Sequence, residues 1–77
     1  MTIDDLNQYV NDDSVRGDLS RELLGVIADY QAGTISREDK DELVGQIYQS
    51  FQNNRLVEDE ESVRWIASAA NLVVAIV

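Results

Sequence analysis

The chain has 77 residues, a formal net charge of −9, and no Cys, His or Pro. That length makes one domain, residues 1–77, of a size that buries only about 60% of its unfolded surface. The missing residue types exclude disulfides, thiolate metal sites and the usual imidazole base. The charge disfavours direct binding to nucleic acid or anionic membrane and leaves solvation or a basic partner as its use.

In chain order, Thr2 is a good N-cap, and Asp4 and Asp5 follow where the helix dipole favours negative charge. Ile3, Leu6, Tyr9 and Val10 form a short apolar stripe that fades at Asn11-Asp12-Asp13, residues that compete with the helical backbone for hydrogen bonds. The opening Met-Thr-Ile-Asp-Asp is acidic where a secretory leader is basic, so no leader and a cytoplasmic location are expected.

Ser14 caps a second helix whose apolar residues, Val15, Leu19, Leu23, Val26, Ile27 and Tyr30, recur at spacings of three and four. Gly17 weakens its start and moves the expected first turn toward Asp18. Gly33 ends it in a left-handed conformation, with Ile35 placed to pack back on the helix as in a Schellman motif. Ser36 caps the third helix, with Glu38 and Asp39 in its first turn. Its buried stripe is Leu43, Val44, Ile47, Tyr48 and Phe51, while Arg37, Lys40, Asp41, Glu42, Gln46 and Gln49 are expected to face water.

Asn53-Asn54-Arg55 breaks the third helix. Glu58 or Asp59 is expected to cap the fourth, with Leu56 or Val57 stapled onto Val63. From Ser62 to Val77 the chain carries no charge after Arg64. A helix that is apolar nearly all round is buried on several sides. This run is also shorter than the roughly 20 residues that span a bilayer. The expected architecture is therefore all-α, a small bundle of three to four helices with a central apolar C-terminal helix. Trp65 is expected to be largely buried against the Leu23/Ile27 and Ile47/Phe51 stripes.

Three further features bear on function. Glu22–Ile27 and Glu42–Ile47 echo each other and place Gly25 and Gly45 in mid-helix. Each glycine costs roughly 1 kcal/mol against Ala there, so the pair is expected to mark close helix packing. The turn around Gly33 has the glycine and aliphatic positions of an EF-hand loop, with Gly33 at the sixth position and Ile35 at the eighth. Ala28, Tyr30 and Ala32 then fall on the first ligand positions, so calcium is not expected. The acidic pairs sit at helix starts, and no phosphate loop, nucleophile elbow or zinc spacing occurs. Neither catalysis nor a cofactor is expected.

The apolar C-terminus points instead to contact with a protein. Leu72, Val73, Ile76 and Val77 are the expected contact residues, for a protein partner or for a second copy of the chain, with no membrane and no nucleic acid bound directly. The stretch Asp29 to Leu43 resembles one found in small acidic helical proteins of tailed bacteriophages: a tyrosine, a spacer, Gly, Ile-Ser, acidic residues and Leu. That resemblance implies a virion component, an assembly factor or a small host-directed inhibitor. Two functions follow: a non-enzymatic protein–protein interaction module, or an acidic inhibitor that occupies a basic nucleic-acid-binding surface.

Overall fold

The computed structural model describes residues 1–54 and 60–77. Four helices account for most of them: α1, Ile3–Tyr9; α2, Val15–Gln31; α3, Arg37–Asn54; and α4, Glu60–Val74. They form a small all-α bundle of about 35 × 23 × 18 Å. The expected cap of α4 by Glu58 or Asp59 and the staple from Leu56 or Val57 lie outside the described residues.

Local chemistry sets the helix ends. Asp5 reaches back to accept from the Thr2 backbone N–H at 2.7 Å. The Ser14 hydroxyl accepts from Gly17 N at 3.2 Å, so α2 begins at Val15 and not at Asp18. Ser36 and Asp39 exchange backbone and side-chain bonds at 3.1 and 3.4 Å, a capping box that starts α3. Gly33 has φ +79°, the one positive φ among the described residues. Thr34 N donates to Asp29 O and Gly33 N to Tyr30 O, which completes a Schellman motif. Ile35 turns back to pack at the edge of the core.

Among the described residues, no helix carries a basic residue in its own last turn. The carbonyl ends of α1 and α4 are served by cations from other helices. Arg21 of α2 donates to Val10 O and Asp12 O at 2.8 and 3.2 Å, and it also pairs with Asp18. Lys40 of α3 donates from Nζ to Val73 O at 2.8 Å and Val74 O at 3.0 Å. Expected at the surface, Lys40 is instead fully buried. It stands one turn before Val44 in the inward register of Ile47 and Phe51, and its charge is met by both carbonyls, by Asp41 Oδ1 at 3.0 Å and by the Tyr30 ring at 5.2 Å. A buried ammonium without such partners is strongly disfavoured.

Helix α2 packs against each of the other three, and α4 lies against α2 and α3. The core joins Leu6, Leu19, Leu23, Val26, Ile27, Val44, Phe51, Ile66, Ala69, Ala70 and Val73. Each large member contributes about 1.5–3 kcal/mol by leaving water. Helix α4 buries the face of Ile66, Ala69, Ala70 and Val73, and its apolar character continues onto residues in the open: Val63, Val74 and Val77 are 40%, 39% and 83% exposed.

Trp65 departs from its expected place. It is half-buried at the margin of the core, with its ring edge-on to Tyr9 at 5.3 Å and the Arg16 guanidinium 5.6 Å from both ring centroids. Arg16 also donates to the Tyr9 hydroxyl at 3.3 Å. The indole therefore ties α4 to α1 and to the start of α2.

Candidate docking groove

Lys40 joins the first turn of α3 to the last turn of α4, so the two helices run antiparallel. Between them lies an open groove of about 270 Å³, lined by Asp41, Val44, Gly45 and Tyr48 from α3 and by Ala67, Ala70, Asn71 and Val74 from α4. The two walls have the same register: each supplies positions i, i+3, i+4 and i+7, the set that shares one side of a helix. Val63, one turn before Ala67, continues the α4 wall and is exposed.

The groove exists because its walls are small where another bundle would have large side chains. Gly45 contributes no side chain, and Ala67 and Ala70 contribute one methyl each. A Cβ built on Gly45 would meet nothing within 4 Å, and the same holds for Gly25. The expectation that both mark close helix packing is therefore corrected: Gly25 is exposed, and Gly45 lines an open channel. The glycine of close approach is Gly17. It is buried, and a Cβ there would lie 1.9 Å from Asp12 O and 2.9 Å from Tyr9 O.

The polar groups of the groove are few. Tyr48 accepts from Gln52 Nε2 at 2.7 Å through its hydroxyl, Asn71 is exposed, and Asp41 sits beside the Lys40 ammonium. One carboxylate, one amide and one engaged phenol make no paired acid and base and no set of convergent donors. Among the described residues, no group of three or more acidic, His or Cys side chains is placed to hold a metal ion, and no helix is long and apolar enough to cross a membrane.

The four expected contact residues do not form one open face. Val73 is fully buried, because its side chain faces the core while its carbonyl takes the Lys40 bond; it belongs to the fold. Leu72 and Ile76 are half-buried and pack against the core, and Val77 alone is broadly exposed. Sequence reasoning did not bring the groove together: Val44 and Tyr48 were expected in a buried stripe, Gly45 at a close helix crossing and Val74 in the apolar C-terminal run, and Ala67 was not singled out. The available signal was the small residue Gly45 beside an apolar stripe, together with the Ala67 and Ala70 spacing. No family model, curated protein or solved structure matches the chain.

Proposed function

We propose that the chain is a non-enzymatic protein–protein interaction module that receives an apolar side of its partner in the α3–α4 groove. The observation that supports this most is Gly45, a helix-weakening residue in mid-helix whose missing side chain fills no packing need within the domain. A groove built from two matched helical stripes suits a third helix, the common mode of helix-in-groove recognition. The resemblance to phage-encoded acidic proteins gives such a module a place in a larger assembly, in the host cytoplasm or the virion.

The rival reading, an acidic inhibitor of a basic nucleic-acid-binding surface, draws on the charge. Several of the carboxylates already have local duties: Asp5 and Asp39 cap helices, and Asp12 accepts from the Ser14 hydroxyl at 3.1 Å. The module reading accounts for the groove as well as the charge.

Peptide display on the immobilised protein tests it, with counter-selection against Gly45→Gln, which plugs the channel. The module reading expects enriched peptides that the plugged variant no longer binds. A selection that yields nothing, or peptides held equally by the plugged protein, speaks against it.

A further inference from the structure

We infer that the occupant of the α3–α4 groove is a cationic amphipathic helix of about three turns. This rests on the docking reading of the groove and specifies the chemistry of what docks.

Length comes from the walls. Val63, Ala67, Ala70 and Val74 stand at i, i+4, i+7 and i+11 along α4, a run of about 16 Å at 1.5 Å per residue. Val44, Gly45 and Tyr48 face them from α3. An apolar stripe of the same length on a third helix fits between the two walls, and a glycine with 4 Å of free space beside it permits close approach.

The sign of the charge comes from how the cations are used. Arg16 lies against two aromatic rings, Arg21 serves the carbonyl end of α1, Lys40 serves that of α4, and Arg64 pairs with Glu60 at 2.6 Å. Arg21 and Arg64 stay exposed beside their partners, so the acidic excess rests on 15 carboxylates against 6 cations in the chain. On α3, Asp41 lines the groove, while Glu38 and Glu42 are exposed one helical step outside it. Asp41 is already paired with Lys40, and the remaining two, Glu38 and Glu42, outnumber Arg37, which is exposed at the head of the same helix. A partner with basic residues flanking an apolar stripe is attracted to that rim. A second copy of the chain would bring −9 against −9, which opposes self-association through this face.

The test uses the full chain and three synthetic peptides of about 14 residues, enough for three to four helical turns. One has Leu at i, i+4, i+7 and i+11 with Lys or Arg elsewhere. The second keeps the Leu positions and replaces the basic residues by Glu. The third has the first peptide's composition in scrambled order. Binding is read by anisotropy, and its location by amide shifts in a ¹⁵N spectrum. The expected result is saturable binding of the basic amphipathic peptide that moves the Gly45, Tyr48, Ala67 and Ala70 amides. Affinity should fall about tenfold or more for the acidic peptide, and severalfold for the basic amphipathic peptide on Glu38→Gln/Glu42→Gln.

If the acidic peptide binds the groove as well as the basic one, the cationic occupant is overturned and the docking reading stands. If the scrambled peptide binds equally, the attraction is charge alone and the inference falls. If sedimentation of the free chain shows a dimer that Gly45→Gln abolishes, the occupant is a second copy. If no peptide moves the groove amides, or the plugged variant binds unchanged, the inference and the docking reading fall together.

Discussion

At the α1–α2 corner, a methyl group added to Gly17 would lie 1.9 Å from the Asp12 carbonyl oxygen; in the α3–α4 groove, the same methyl on Gly45 would meet nothing within 4 Å. Both glycines sit inside helices, and both lower helical propensity. At Gly17 the cost is offset by contact. The chain leaving α1 crosses directly over α2, the Ser14 hydroxyl takes the Gly17 N–H, and Arg21 holds the carbonyls of Val10 and Asp12. At Gly45 no contact within the domain offsets it. Gly25 shares that freedom, but of the two only Gly45 lines the α3–α4 groove, which is what the docking proposal draws on.

The largest effect that would break this contrast belongs to Gly17→Ala. Its obstacle is backbone, which cannot move aside as a side chain can, so a loss of about 3 kcal/mol is expected. In a domain with about 5 kcal/mol of total stability, that leaves a substantial unfolded fraction. Chemical denaturation reads it directly; a near-neutral result would show that the corner is looser than the packing implies.

Lys40→Met comes next. It keeps much of the stem but strips the Val74 carbonyl of its Lys40 donor and removes the bond that links α3 to the end of α4. A loss of about 1–3 kcal/mol follows, with hydrogen-exchange protection falling first in the last turn of α4. Uniform loss of protection across the bundle would mean that Lys40 holds more than that end.

Gly33→Ala should cost about 1 kcal/mol, because an alanine there must adopt the left-handed region. Nothing stands near its Cβ position, so the effect is conformational and not steric. Smallest are Gly25→Ala and Gly45→Ala, each expected to stabilise by up to about 1 kcal/mol through helix propensity. Denaturant midpoints that fall for both would restore the close-packing reading of the repeated Glu-Leu-x-Gly phrase.

Much of the fold was legible because its signals are local. Thr2, Ser14 and Ser36 start helices and Gly33 stops one, each through bonds to residues a few positions away. The misread residues have distant partners. Lys40 sits in the inward register of Val44, Ile47 and Phe51, yet its burial makes sense only with carbonyls 33 and 34 residues further on. Trp65 has the bulk of a core residue, but its ring companions come from α1 and the first turn of α2. Val73 and Val74 are neighbours of one residue type, and helix rotation alone buries the first and opens the second. The groove was hidden for the same reason: an empty space between two helices leaves no pattern in either one, beyond residues that are smaller than the core around them.

On the proposed reading, Gly45 serves an external contact and not the packing of its own domain. The most direct measurement takes Gly45→Gln and records its melting temperature and its affinity for the basic amphipathic peptide on the same sample. The expected result is a melting temperature equal to or above that of the parent, since Gln is the better helix former, together with a loss of peptide binding. A lower melting temperature, or an affinity unchanged by the plug, would contradict it.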